Sequence, residues 1–166
     1  MHEALLALNQ IVADGVIETY AVGGAMGAMF YIDAFETQDL DVFVLLPPTG
    51  VLLSLTPIYD ALKAQGGVVE DAHVRFGKWP VQVLTGLDDL EGEAIRAAIA
   101  VQFEGVQTRV FSAEHLCALA LQTGRLKDFA RVKAFLDQGQ VNRESLLALA
   151  GRYGLVERLR RVENEG

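Results

Sequence analysis

Two aspartates separated by one residue, Asp39 and Asp41, stand at the start of the apolar run "LDVFVLL". Alternate side chains of a β-strand point to the same face, so a strand here holds both carboxylates side by side. Like charges this close repel each other unless a cation or hydrogen-bond donors lie between them. Hard divalent ions bind carboxylate oxygens and keep room for phosphate oxygens. The spacing predicts a site for Mg²⁺ or Mn²⁺, whereas the alternative is a surface strand with an acidic face.

Two adjacent glycines, Gly23 and Gly24, follow the apolar residues 17–22 and precede a run of small residues. A backbone without Cβ atoms can approach a phosphate closely, and the first amide groups of a helix can bind it. The alternative is an ordinary tight turn between a strand and a helix. Their distance from the aspartate pair favours a phosphate-binding turn.

These residues require a sheet with helices around it. Hydrophobic periodicity and capping residues predict helices over 3–13, 25–31, 51–64, 113–122, 126–137, 143–150 and 155–162, and a short helix opened by the capping pattern Asp88 to Glu91. Strands are predicted over 17–22, 39–46, 68–69, 73–76, 80–84 and 108–111. The order predicts an α/β (α+β) fold, in which a small mixed sheet is flanked by helices. We expect a core over 1–111 and a helical region over 112–166 that packs on it.

Two segments in this order resemble a known family. "VGG" followed by "TQDLDVFV" resembles the signature of the nucleotidyltransferase fold, as in DNA polymerase beta and its small bacterial relatives. The later segment "FSAEHLCALALQTGRLKDFARVKAFL" is similar to the helical region of the AbiEii-type toxin nucleotidyltransferases, with Arg125, Lys127 and Asp128 as its Arg-x-Lys-Asp motif. The resemblance covers residues 17–137.

The resemblance implies a role for each matching residue. It implies that Asp39 and Asp41 are catalytic residues that bind a divalent metal, which bridges the triphosphate of a nucleoside triphosphate. Gly23 and Gly24 become phosphate contacts, and Thr37 becomes the loop threonine before the strand. An acceptor hydroxyl would attack the α-phosphate in line and expel pyrophosphate.

The second motif of the resemblance implies that Lys127 and Asp128 bind the nucleotide. The alternative for this pair is a solvated helix start, where an aspartate is favourable on its own. Arg125 and Arg131 are weaker candidates for the same cleft.

The sequence departs from the family pattern at several positions. Gln82 stands where a third catalytic carboxylate is expected, and an amide can ligate a metal weakly or orient water but cannot act as a general base. Ala120 stands where the family often carries a lysine, and Phe35 and Glu36 stand where the family often has an arginine. The loop carboxylates Asp33 and Glu36 either replace the missing group or are simply solvated.

Three functions therefore remain open. The first is a metal-dependent nucleotidyltransferase that moves a nucleoside monophosphate from a nucleoside triphosphate to an unknown hydroxyl. The second is a catalytically degenerate module that binds nucleotide or metal, as one partner of a toxin and antitoxin pair. The third is a structural or interaction domain with a vestigial acidic pair.

Composition limits the partners. A formal net charge of −8 at pH 7 argues against binding to bulk nucleic acid and favours a small-molecule or protein acceptor. The apolar run around residues 42–46 ends at Pro47 and is far shorter than the ~20 residues of a membrane span. The sequence predicts a cytoplasmic protein without a membrane segment, with an antitoxin or a second copy of itself as candidate partner. The lone Cys117 is predicted to be a buried apolar side chain.

Overall fold

The computed structural model describes residues 1–33, 37, 39–48, 54–86 and 88–164. The helices in these ranges are α1 (His2–Ala13), α2 (Gly24–Ala28), α3 (Thr56–Ala64), α4 (Asp89–Arg96), α5 (Ala113–Thr123), α6 (Leu126–Asp137), α7 (Arg143–Arg152) and α8 (Val156–Asn164). The strands are β1 (Thr19–Val22), β2 (Leu40–Leu45), β3 (Val68–Glu70), β4 (His73–Phe76), β5 (Trp79–Thr85), β6 (Ile99–Phe103) and β7 (Val106–Val110).

The described strands form one seven-stranded sheet in the order β3-β4-β5-β2-β1-β7-β6. The pairs β1 with β7 and β2 with β5 are parallel, and the other pairs are antiparallel. The predicted mixed sheet is therefore confirmed. Strand β2, which follows Asp39 and contains Asp41, lies at the centre of the sheet, where both of its edges are paired.

Each face of the sheet is covered by helices. Along β2 the burial alternates, with Leu40, Val42 and Val44 buried on one face. These side chains pack with buried residues of α1 and α3. On the opposite face, Phe43 and Leu45 pack against a second cluster built from α4 and the helices after residue 112. A strand so apolar, covered on both faces, holds its few polar side chains in fixed positions.

The C-terminal helices pack directly on the core. Ala21, Leu90 and Phe111 share one hydrophobic cluster with Phe135 of α6 and Leu149 of α7. The first turn of α5 is held by Ser112, whose hydroxyl accepts a hydrogen bond from the N–H of His115. The division into units 1–111 and 112–166 stays a prediction, since a shared core does not show whether either part folds alone.

One strand was missed, and three predicted boundaries are corrected. Strand β6 was missed: Ile99–Phe103 pairs with β7 across a tight turn at Glu104 and Gly105, both with positive φ. Helix α2 ends at Ala28 instead of residue 31, and β1 starts at Thr19 instead of residue 17. The described part of the predicted helix 51–64 begins at Thr56, and residues 51–53 lie outside the described residues.

Cys117 is buried in the helical cluster, as predicted, and burial raises the pKa of its thiol well above the usual range. Within the ranges described, no helix has the length and apolar character needed to cross a membrane.

Candidate functional site

A cleft of about 500 Å³ opens between the central sheet and the helices α5 and α6. Every residue to which the resemblance gives a role lines this cleft, with the exception of Gly23. The lining residues are Gly24, Ala25, Thr37, Asp39, Asp41, Phe43, Gln82, Leu84, Glu91, Leu116, Leu119, Ala120, Thr123, Arg125, Lys127, Asp128 and Arg131. Residues from widely separated parts of the chain thus face one space.

One side of the cleft, here called the acidic wall, consists of Thr37, Asp39, Asp41 and Gln82. Asp41 belongs to β2 and Asp39 immediately precedes that strand, so alternation directs both side chains to the same face. The Thr37 hydroxyl exchanges hydrogen bonds of 3.3 Å with the backbone N–H and carbonyl of Asp39. Thr37 therefore fixes the backbone from which Asp39 projects.

The two glycines make room for this wall. The N–H of Gly23 donates a 2.9 Å hydrogen bond to the carbonyl of Asp41, and a Cβ on Gly23 would lie 2.6 Å from the Phe43 ring. Gly24 has a φ of +58°, and a Cβ there would lie 1.9 Å from Oδ2 of Asp41. The Asp41 carboxylate thus occupies the space that any side chain at position 24 would fill. The glycine turn and the acidic pair form a single unit.

The carboxylate of Asp41 is partly buried and lies near a second carboxylate, that of Asp39. Partial burial raises the pKa of Asp41 above the ordinary value, and the negative charge of Asp39 raises that pKa further. The cations Arg131, Arg125 and Lys127 act in the opposite direction. Among the described residues, neither Asp39 nor Asp41 forms a salt bridge. The wall is therefore a concentration of negative charge that a cation would relieve.

Gln82 lies directly beside Asp41. Strands β2 and β5 are parallel, and their register pairs Asp41 with Gln82. The register therefore places Gln82 where the sequence analysis expected it on the neighbouring strand, and its part in the site stays a prediction. Its amide can accept or donate hydrogen bonds in the cleft, but it carries neither the charge nor the basicity of a carboxylate.

A second group of lining residues, here called the basic wall, consists of Arg125, Lys127, Asp128 and Arg131. Asp128 is buried, with 1% of its side chain exposed, and its Oδ2 accepts a 2.6 Å hydrogen bond from Nε of Arg125. Nη1 of Arg131 lies 3.5 Å from the other carboxylate oxygen. The carboxylate of Asp128 is thus engaged by two guanidinium groups, while Lys127 also lines the cleft.

The corner between α5 and α6 sets the position of this wall. Helix α5 ends at Gly124, which adopts the left-handed conformation with a φ of 73°. Nη1 of Arg158, from α8, donates hydrogen bonds of 2.6 Å to the carbonyls of Leu121 and Gln122 near the end of α5. The chain then turns at once into Arg125, the N-cap residue of α6. Helix α8 therefore supports the corner from which the basic wall projects.

Helix α5 contributes a largely apolar part of the lining, with Leu116, Leu119 and Ala120. Ala120, where the resemblance led us to expect a lysine, is 5% exposed. Helix α5 thus contributes no cation to the cleft from this position. The cationic groups in the lining all come from the segment 125–131.

Sequence reasoning missed one carboxylate of the lining, Glu91 in the first turn of α4. The sequence pattern places it in a cap, and the cap itself is confirmed, because Oδ1 of Asp88 accepts a hydrogen bond from the Glu91 N–H. The same first-turn position also places Glu91 at the cleft. Asp33, the proposed replacement for the third carboxylate, does not line the cleft, and Glu36 lies outside the described residues.

The donor set of the acidic wall fits a hard divalent ion. One carboxylate projects from β2 and the other from the residue before it, and Gly24 leaves space for that of Asp41. Over the described ranges, no group of three or more His, Cys, Asp or Glu side chains could hold a metal ion. Mg²⁺ is typically bound through one or two carboxylates together with substrate phosphates and water. The wall therefore suits an ion that is completed by its substrate.

Comparison with known proteins gives no matching family model, and no curated protein matches the sequence. Solved structures do match. The crystal structure of an antigenic nucleotidyltransferase-like protein from Paracoccidioides brasiliensis superposes with a TM-score of 0.54 at 14% identity, over 81% of this chain and 72% of that one. The solution structure of the antibiotic-resistance factor ANT(2'')-Ia superposes with a TM-score of 0.52 at 15% identity, over 96% and 94% of the two chains. The chain therefore has a nucleotidyltransferase fold.

Proposed function

We propose that this protein is a metal-dependent nucleotidyltransferase, which transfers a nucleoside monophosphate from a nucleoside triphosphate to an acceptor hydroxyl. The observation that carries the proposal is the cleft itself. It brings Gly24, the aspartate pair and Lys127 to one space, although they are distant in sequence. Within the fold family, the proposal keeps the relation to AbiEii-type proteins, which rests on the Arg-x-Lys-Asp segment.

In this proposal, Asp39 and Asp41 hold Mg²⁺ or Mn²⁺ together with the phosphates of the nucleotide. Such an ion neutralises charge on the phosphates and on the leaving pyrophosphate. Asp41 is kept ready for this role because Gly24 leaves its carboxylate unobstructed. Thr37 holds the backbone of Asp39, so the two carboxylates need little rearrangement when the metal arrives.

The remaining residues orient the nucleotide. Lys127 and the glycine turn provide phosphate contacts, and Gly24 carries that role because the N–H of Gly23 is already bonded to β2. Gln82 lies beside Asp41 and orients a water molecule or the acceptor hydroxyl through its amide. The proton of that hydroxyl then passes to another acceptor, since an amide is not a base at neutral pH.

The acceptor is proposed to be a small molecule or a protein. The net charge of −8 opposes association with bulk nucleic acid. We further propose that the protein acts in the cytoplasm, with an antitoxin or a second copy of itself as partner, and that residues 1–111 and 112–166 are its two structural units.

A second candidate function is a nucleotide-binding or metal-binding module without turnover. Two observations favour it: Gln82 occupies the position beside Asp41, and Ala120 contributes no cation from α5. Both functions require nucleotide binding at the acidic wall, and they differ in whether pyrophosphate is released. A domain with a vestigial acidic pair would show neither nucleotide binding nor release of pyrophosphate.

The first experiment is a thermal melt of the wild type and of the double variant Asp39→Asn/Asp41→Asn with each nucleoside triphosphate, with and without Mg²⁺ or Mn²⁺. A ligand at 100 times its Kd stabilises the folded state by about 2.7 kcal/mol. We expect a metal-dependent rise in Tm for the wild type and none for the double variant. No rise with any nucleotide would leave the vestigial domain as the better explanation.

A matched control variant removes two negative charges at positions that do not line the cleft. Asp60 and Asp89 do not line the cleft, so Asp60→Asn/Asp89→Asn removes the same two charges elsewhere. This variant is expected to keep the full metal-dependent rise. Loss of the rise in the control would attribute the effect to net charge instead of the acidic wall.

Release of pyrophosphate separates the two candidate functions. A transferase supplied with an acceptor releases pyrophosphate, and Asp41→Asn is expected to lower that rate by about 10²–10³-fold. A binding module shows the metal-dependent rise in Tm without release from any acceptor tested.

A further inference from the structure

The carboxylate of Asp128 is the most deeply enclosed group of the basic wall. Its side chain is 1% exposed, whereas that of Arg131 is 11% exposed and that of Arg125 is 59% exposed. Oδ2 of Asp128 accepts a hydrogen bond from Nε of Arg125 at 2.6 Å, and Oδ1 accepts one from Nη2 at 3.3 Å. The carboxylate is thus committed to its arginine partners and has little surface left for a ligand.

A buried carboxylate between two arginines fixes where the guanidinium groups lie. An arginine has five N–H donors in a rigid fork, and Asp128 uses two of those of Arg125. Both arginines line the cleft, and the Arg125 side chain is 59% exposed, so its guanidinium group borders the space that a ligand would occupy. One guanidinium group can donate two parallel hydrogen bonds to two phosphate oxygens. A guanidinium group held in a fixed position is therefore a specific phosphate contact.

The basic wall stays positively charged after the internal ion pairs are counted. Arg125, Lys127 and Arg131 carry three positive charges against the single negative charge of Asp128. These three cations line the same cleft as Asp39 and Asp41. A ligand in the cleft therefore contacts the acidic wall, which attracts cations, and the basic wall, which attracts anions. A triphosphate that bridges a metal and a set of cations matches this arrangement.

We propose that Arg125 and Arg131, held by Asp128, form a clamp for the terminal phosphates of the nucleotide that needs no metal ion. Asp128 is then a positioning residue, which acts through the arginines and does not touch the nucleotide. The identity of the ligand as a nucleotide rests on the function proposed above. The clamp supplies the phosphate-binding charge that Ala120 does not provide from α5.

The test uses inorganic tripolyphosphate in the presence of EDTA, with binding to the full chain measured by isothermal titration calorimetry. Wild type is expected to bind this probe without metal. Arg125→Lys retains the charge but removes the fork, and it is expected to weaken binding by about fivefold or more, because a compact ammonium replaces a paired contact. Equal binding by this variant, or no binding by wild type, would overturn the clamp.

Asp128→Asn distinguishes a positioning role from a role of charge alone. The substitution removes a negative charge from the basic wall, so charge alone predicts tighter binding of tripolyphosphate. Loss of the group that holds both arginines predicts weaker binding, which is the expected result. The control is Asp137→Asn, which removes the same charge from the exposed end of α6, where Asp137 pairs with Lys133. Tighter binding by Asp128→Asn than by this control would contradict a positioning role.

If Asp128→Asn does not fold, Arg125→Lys still decides the question, because Arg125 is mostly exposed and its replacement leaves the core intact. The double variant Asp39→Asn/Asp41→Asn separates the clamp from the proposed function. It is expected to bind tripolyphosphate at least as well as wild type while it fails to bind the nucleotide with Mg²⁺. Wild type that binds tripolyphosphate but shows no metal-dependent nucleotide binding would support the clamp and reject the transferase. Loss of tripolyphosphate binding in the double variant would reject the clamp.

Discussion

Asp41 and Asp128 both line the cleft as carboxylates removed partly or fully from solvent, yet the protein surrounds them differently. Asp128 is more buried, and two arginines of the same region neutralise it. Asp41 has another aspartate near it and, among the described residues, no salt-bridge partner. A buried charge is costly unless it is paired. The comparison indicates that the counter-charge of Asp128 is built into the chain, whereas that of Asp41 is expected from outside.

The same substitution should therefore have opposite effects on the two walls. Asp128→Asn leaves Arg131 largely buried without its carboxylate, so we expect a loss of about 3 kcal/mol in the free energy of unfolding. This value is at the low end for buried ion pairs because Arg125 is more than half exposed. Urea denaturation measures the loss. Asp137→Asn, at a side chain that is 58% exposed, should lose less than about 1 kcal/mol.

A loss below about 1 kcal/mol for Asp128→Asn would remove the energetic difference between the walls. The two arginines would then be held by other contacts, and the comparison would have to be abandoned.

Gly24→Ala tests the acidic wall by steric means. The new Cβ would lie 1.9 Å from Oδ2 of Asp41, and the φ of +58° is itself unfavourable for alanine. We expect a loss of about 2 kcal/mol in stability, from strain of the left-handed backbone and displacement of the carboxylate. Metal-dependent nucleotide binding should be lost as well, which the thermal melts with Mg²⁺ measure.

The chain offers a close control in Gly15, which has a φ of +72° and no heavy atom within 4 Å of the position that a Cβ would occupy. Gly15→Ala has the same backbone penalty, about 1–2 kcal/mol, without any contact at the cleft. It should lower Tm and leave the nucleotide-dependent rise unchanged. Equal loss of nucleotide binding in both variants would show that stability, and not the position of Asp41, controls binding.

The sequence was a good guide to the parts of the site that rest on local spacing. The strand after Asp39 and the helix over 126–137 lie where periodicity and capping placed them. The alternation that puts Asp39 and Asp41 on one face is a property of any strand, so two residues suffice to predict it. The position of Gln82 beside Asp41 also agrees with the structure, since it needed only the assignment of a second strand.

Features that depend on distant contacts were not accessible in this way. The sequence predicted Asp128 as a nucleotide contact, because its neighbours Arg125 and Lys127 form a local motif. The ion pairs of Asp128 with Arg125 and Arg131 each span only three residues, but the burial of Asp128 depends on which face of α6 packs against the rest of the protein. The missed strand β6 is an edge strand with largely exposed residues, so it lacks the apolar alternation that marks a strand. Glu91 belongs to the capping pattern of α4 and also lines the cleft, and the sequence indicated only the capping pattern.

The smallest predicted change in folding stability is that of Asp41→Asn, and it is a gain, whereas the other variants lose stability. Burial and the charge of Asp39 raise the pKa of Asp41 in the folded state above its ordinary value of 3.8, so the folded chain binds the proton more tightly than the unfolded chain. Stability therefore falls as pH rises through that range, and the cost is fully present at neutral pH. Asp41→Asn removes the cost. Without metal at pH 7, the variant should gain about 1 kcal/mol, or roughly 2–4 °C in Tm.

Two further conditions make this prediction specific to the acidic wall. At pH 3 the wild-type carboxyl is protonated, so the difference in Tm between the two proteins should disappear. With Mg²⁺ and nucleotide at pH 7, the order should reverse, because only the wild type gains the free energy of binding. An Asp41→Asn variant that is less stable than wild type without metal at pH 7 would mean that the chain already provides a partner for this carboxylate. Asp41 would then resemble Asp128, and the need for an external cation would no longer follow from the structure.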